Sequence, residues 1–159
     1  MSFTAYFSFT EPDDCTVEQI LDEARSIMAA TATSRDRTKK YTAHKTGQAF
    51  ADAPISKGEG FEVVARNAIL TEAFGRFEVR EGEFRMVVRV GQTPGSGDDT
   101  RENFMQADVA RIADIFEAHA WRAGVQGVWY EGADINKDNP NWWMVEIAFR
   151  VVHYGKIRT

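Results

Sequence analysis

Trp142-Trp143-Met144-Val145-Glu146-Ile147-Ala148-Phe149-Arg150-Val151-Val152-His153-Tyr154 alternates apolar side chains with mixed ones over a full strand length. Trp143, Val145, Ile147, Phe149 and Val151 fall on one face, because successive side chains of a β-strand point to opposite sides. A face that is apolar at every position must be buried, so this segment is expected to form the centre of a sheet. The adjacent indoles of Trp142 and Trp143 cannot share a side. If one enters the core, the other emerges on the opposite face with Met144, Arg150 and Tyr154, residue types enriched where subunits meet. Packing beneath a loop or beneath residues 61 to 75 would explain that face equally well.

Working outward from this strand, Gly132 to Asn141 reads as a polar loop and Val125 to Glu131 as a second strand. Before it, Met105, Val109, Ile112, Ile115, Phe116 and His119 recur at helical spacing, with Asp99 and Glu102 as a capping pair and Gly124 as the stop. The spacing predicts a helix over about 101 to 121. Phe77 to Arg80 and Phe84 to Val90 flank Glu81-Gly82-Glu83, which reads as the turn of a hairpin. Residues 61 to 75 are short enough to read either as a helix ending at Gly75 or as a strand.

At the other end, Phe3, Ala5, Phe7 and Phe9 alternate with polar residues and predict a strand over 2 to 10. Thr16-Val17-Glu18-Gln19 matches a capping box, and Val17, Ile20, Leu21, Ala24, Ile27 and Met28 form the apolar stripe of a helix over about 16 to 31. A long connection, 32 to 60, follows. Its Arg35, Arg37, Lys39, Lys40 and Lys45 stand against Asp36, a net of +4, which leaves −9 for the rest of a chain whose formal charge is −5. Such a stretch is either a solvated loop or a docking arm for an acidic surface or a nucleic-acid backbone.

The expected fold is therefore α+β, one domain over residues 1 to 159. It is an antiparallel-rich mixed sheet of about five strands with two helices packed on one face. The length of 159 residues fits one domain, and 27% charged with 43% hydrophobic residues fits a folded one. A net acidic chain is a poor partner for nucleic acid as a whole, and no run reaches the length of a membrane span. Neither a membrane nor sequence-specific nucleic acid is expected as a partner. The N-terminus shows no leader pattern, and Cys15, the only cysteine, fits a reducing compartment.

Catalytic chemistry finds no convergent set. His44, His119 and His153 are scattered, no serine sits in a nucleophile elbow, and the glycine-rich 91 to 97 stretch lacks the lysine of a phosphate loop. Asp134-Ile135-Asn136-Lys137-Asp138 opens like a calcium loop, but Asn139 and Val145 stand where glycine and a bidentate glutamate belong. The expectation is a non-enzymatic protein without metal or cofactor. His119 reads as a core histidine, and His153 with Tyr154 as the end of the last strand.

The order strand 84 to 90, polar loop, helix 102 to 121, strand 125 to 131 and closing strand 142 to 154 resembles that of the tail terminator, or tail completion, proteins of long-tailed bacteriophages. Their closing strands run in alternating apolar residues to an aromatic, as Val145, Ile147, Phe149, Val151 and Tyr154 do here. The resemblance covers roughly half of the chain. It implies a virion structural protein assembled in the host cytoplasm. Such a protein forms a homo-oligomeric, hexameric ring that ends the tail tube, contacts the tail tube protein and joins it to the head completion protein. Trp142, Trp143, Met144, Arg150 and Tyr154 are then the candidate oligomer interface, and Arg35, Arg37, Lys39, Lys40 and Lys45 the candidate partner-docking residues. Two other readings use the same elements: a ferredoxin-like dimeric module that binds small molecules or regulates, and a small dimeric-barrel enzyme, for which no polar cluster is found.

Overall fold

A computed structural model of the chain describes residues 15–33, 38–44, 60–74, 77–91, 98–138 and 142–156. In chain order these contain α1 (Val17–Ala29), β1 (Thr42–Ala43), β2 (Gly60–Phe74), β3 (Phe77–Gly91), α2 (Asp98–Ala118), β4 (Val125–Asn136) and β5 (Trp142–Lys156). The strands make one mixed sheet ordered β1-β2-β3-β5-β4, with β1 parallel to β2 and every other pairing antiparallel. β3 and β4 both run antiparallel to the intervening β5, so α2 connects two parallel strands with a third inserted between them. The strand expected at 2 to 10 lies outside the described residues.

The core follows the alternation of β5. Trp143, Val145, Ile147, Phe149, Val151 and His153 are all buried, as are Phe84, Met86 and Val88 opposite them on β3. Against this face lie Ile20, Leu21, Ala24 and Met28 of α1 and Met105, Ile112 and Phe116 of α2, so both helices cover one side of the sheet. Phe149 sits between two rings, 5.2 Å from Phe84 and 4.8 Å from Phe116, centroid to centroid. The fully exposed-to-buried transfer of such aromatics is the main term holding the two layers together.

α1 starts as its sequence requires. The Gln19 N–H donates to Thr16 Oγ1 at 3.2 Å, and the Thr16 N–H donates to Gln19 Oε1 at 3.0 Å, the reciprocal capping box. Its last turn holds no basic residue, yet Lys40 Nζ reaches back from the connection to donate to the Ala30 carbonyl at 2.8 Å. A cation is thereby placed where the helix dipole is negative.

Three expectations change and one open reading is decided. Glu81-Gly82-Glu83 is not a turn: β3 is continuous through it, and the reversal from β2 lies between Phe74 and Phe77. The two glutamates are outward-facing strand residues held by arginines, so the polar composition that suggested a turn belongs to a solvated strand face. Residues 61 to 75, open between helix and strand in the sequence, lie in the strand Gly60–Phe74, with irregular register between Arg66 and Ile69 and between Leu70 and Glu72. β4 continues to Asn136, five residues beyond the expected strand end. At Gly132 (φ 142°) a register shift accommodates a backbone angle that favours glycine. Asp134 and Asn136 are thus strand residues, paired to Glu146 and Met144, and not part of the polar loop expected over 132 to 141. Finally, α2 ends at Ala118, so His119 lies past it and not on its buried stripe. There it meets Glu23 Oε1 of α1 through Nε2 at 3.3 Å, while Gly124 (φ 96°) makes the turn into β4.

Two strands follow α2, where a ferredoxin-like chain has one. No helix among the described residues is long and apolar enough to cross a membrane.

Candidate functional site

The face of the sheet opposite the helices carries the outward residues of β3, β5 and β4. Register fixes who stands beside whom. Glu83 pairs with Arg150 and Arg150 with Trp129; Arg85 pairs with Ala148; Val87 pairs with Glu146 and Glu146 with Asp134; Val79 pairs with Tyr154. This is a surface of shared arginines. Arg85 donates from Nε to Glu83 at 2.7 Å and from Nη1 to Glu146 at 2.6 Å. Arg150 donates from Nη1 to Glu81 at 3.1 Å and from Nε to Glu131 at 3.0 Å. The hydrogen bonds Arg85 donates to Glu146 and then Glu83 hold it above its ordinary pKa, and the bond Arg150 donates to Glu81 does the same for Arg150. Both guanidiniums therefore stay charged at any pH the fold survives.

The Arg150 guanidinium lies 4.5 Å from the centroid of the Trp129 ring, within cation–π range. Trp129 is also laid across Gly127: a Cβ added there would fall 2.4 Å from the indole Cη2, so the strand needs glycine at that position for the ring to lie down. The indole thus has neighbours on two sides while Trp129 remains 38% exposed. A large aromatic at a solvated surface, beside an arginine, is the kind of group that anchors protein contacts.

The five candidate interface residues separate on this frame. Met144, Arg150 and Tyr154 share the outer row of β5 and are half-buried. Trp143 is turned the other way, 6% exposed in the core, with Lys137 Nζ 4.7 Å over its ring, so the inward indole is this one and it leaves the outer face. The side chain of Trp142 lies outside the described residues. Trp129 and Glu131 were missed by sequence reasoning. Nothing within β4 shows which of its residues will stand beside Arg150, since that depends on the register shifts at both of its glycines.

The basic stretch is less of a loop than its composition suggests. Arg35, Arg37 and Lys45 lie outside the described residues, but Lys39 and Lys40 are exposed on a segment pinned at several points. Ala32 bridges Lys40, the Thr33 N–H donates to the Lys39 carbonyl at 2.9 Å, and the Tyr41 N–H donates to the Thr31 carbonyl at 3.2 Å. Tyr41 itself is 3% exposed. Its hydroxyl accepts from Arg111 Nη2 at 3.4 Å, and Asp108 of α2, 1% exposed, is bonded to the same pair. Burial, with the Asp108 carboxylate beside it, pushes the Tyr41 phenol far above its ordinary value. The one aromatic of the basic stretch is a peg that fastens it to the helix layer.

His153, which reads in the sequence with Tyr154 as the end of the last strand, is 1% exposed and continues the buried row of β5; its Nδ1 lies 2.8 Å from the Cys15 carbonyl. Of the described side chains, no group of three or more His, Cys, Asp or Glu is arranged to hold a metal ion. The described surface is built of paired charges and one anchored indole, an arrangement suited to contact with another macromolecule.

No family model matches the chain, and no curated protein matches it. Among solved structures the chain is similar to one described as "Virion of native gene transfer agent (GTA) particle", at 14% sequence identity over 83% of this chain and 84% of that one, with a TM-score of 0.48.

Proposed function

We propose that this chain is a structural protein of a phage-like virion, a self-associating ring subunit that terminates the tail tube and joins it to the head completion protein. The element order that resembles the tail terminators is realised as β3, α2, β4 and β5, and it leaves one sheet face free of both helices. The observation that carries the reading is the exposed Trp129 lying beside Arg150 on that face, with Arg150 bonded to Glu81 and Glu131. Tryptophan and arginine side by side at a solvated surface are the residue types enriched where proteins meet. Met144, Arg150 and Tyr154 would then lie in or beside the subunit contact, and the work of the protein would be binding, without a bond made or broken.

Electron microscopy of particles made without this protein tests it. The reading predicts tail tubes of irregular length that fail to join heads. Tubes of normal, uniform length already attached to heads would contradict it.

A further inference from the structure

Among the described residues the sheet ends in two open edges. β4 has β5 on one side and no strand on the other, and β1 takes up the far side of β2 only at Gly60 and Phe61. Single hydrogen bonds fix which backbone groups reach these edges. The Tyr154 N–H donates to the Gly124 carbonyl at 2.8 Å, so every second residue of β5 turns its amide towards β4, and Val152 and Arg150 meet Gly127 and Trp129 there. Val128 and Tyr130 therefore turn their N–H and C=O groups to the open side. Likewise, the His44 N–H donates to the Phe61 carbonyl at 2.9 Å, so Val63 and Ala65 turn theirs to the open side of β2. Val64, Trp129 and Tyr130, the large hydrophobic side chains exposed among the described residues, all stand on these two strands.

We infer that β4 of one copy pairs antiparallel with β2 of the next, so that the sheet runs on from subunit to subunit; the inference rests on the ring reading above and names the two edges that meet. Direction, length and side chains all select a second copy as the occupant. β2 and β4 run opposite ways within one copy, so copies set side by side bring them together antiparallel, in a heterologous contact that can close a ring. β4 is regular from Gly127 to Tyr130, between its two register shifts, and beyond the β1 pairing β2 is regular from Glu62 to Arg66. The shift after Tyr130 bends β4 before it reaches the part of the edge that β1 holds. With Val63 opposite Tyr130 and Ala65 opposite Val128, the exposed Val64 falls opposite the exposed Trp129 on the outer face. Tyr130 stands on the helix side, 6.2 Å from the Phe149 ring, and from there it enters a groove of about 490 Å³ beside β2, lined in part by Arg25, Phe61 and Val63. β4 contains no proline, lysine or arginine, the residues that protect an edge against such pairing.

Hydrogen exchange of the purified full chain, compared between dilute and concentrated solution, reads the edges directly. The amides of Val63, Ala65, Val128 and Tyr130 should gain about tenfold or more in protection on association, as their N–H groups pass from water to the neighbouring strand. Ala65→Pro removes one of these donors and leaves the β2–β3 ladder whole, because that N–H points away from β3. It should weaken association in sedimentation by about tenfold or more, while Ala65→Val should not. Urea unfolding checks that the variant is folded, and should Ala65→Pro fail to fold, the exchange pattern of the wild type decides alone. A chain that stays monomeric at high concentration, edge amides that exchange as fast in the assembled protein, or Ala65→Pro assembling as tightly as the wild type would each overturn the inference. Assembly without edge protection would leave the ring reading standing on another contact; edge-paired assembly with normal tails in the protein's absence would contradict that reading and not the pairing.

Discussion

Alternate residues of β5 live in two different surroundings. Val145, Ile147, Phe149, Val151 and His153 are sealed against the helices, while Met144, Glu146, Ala148, Arg150, Val152 and Tyr154 remain half-buried on the far side. On the inner side, contacts are apolar, and removing atoms leaves a hole. On the outer side, contacts are ion pairs between partly exposed groups, which contribute little to folding because water and salt compete for them. On the proposed reading the inner face folds the chain and the outer face assembles it, and each expectation below sets one side against the other.

The largest effect belongs to the inner face. Phe149→Ala should lower stability by about 3 to 5 kcal/mol, since the ring is fully buried between Phe84 and Phe116. A urea midpoint shift worth less than ~1 kcal/mol would show that the two aromatic layers do not hold this fold.

Next comes the peg of the basic stretch. Tyr41→Phe removes a buried hydroxyl from the Asp108 and Arg111 cluster and should cost about 1 to 2 kcal/mol at neutral pH. It carries a pH signature as well. The folded phenol is held above its ordinary value, so the unfolded chain loses that proton first, near pH 10. The stabilisation is complete below that pH and is lost as pH rises above it. Wild-type stability should therefore decline above about pH 10 more steeply than that of Tyr41→Phe. Parallel profiles in urea titrations at several alkaline pH values would remove the phenol from this role.

Thr16→Ala deletes one half of the α1 capping box and should cost about 1 kcal/mol, measured by thermal or urea unfolding. The smallest effect on folding is expected on the outer face. Arg150→Ala should change stability by less than about 1 kcal/mol, despite two ion pairs and a stacked indole, because its side chain is 42% exposed. A loss comparable to that of Phe149→Ala would break the division between the faces.

The same division explains what the sequence could reveal. Burial at period two is written in residue types, so β5, the inner half of β3, the stripes of both helices and the placement of the helices on one side could be read before any coordinates. Turns and register are written less clearly. Glu81-Gly82-Glu83 has turn composition, but on a solvated strand face, so polarity misled where only the pairing to Arg150 and Arg85 could decide. Charged groups buried by partners are equally opaque: Asp108 looks like a solvent-facing helix residue until Tyr41, 67 positions earlier in sequence, is brought against it. The outer-face candidates were half legible. Arg150 and Tyr154 follow from alternation along β5, whereas Trp129 and Glu131 belong to the site only through the register of β4.

Trp129 tests the central claim most directly, because it is anchored on the outer face and touches none of the inner core. The mass of Trp129→Ala in sedimentation, set beside its urea midpoint, should show a folded protein whose self-association is weaker by about 2 kcal/mol or more, the effect of truncating an aromatic anchor. A variant that assembles as tightly as the wild type while folding normally would contradict the claim that the outer face is where subunits meet.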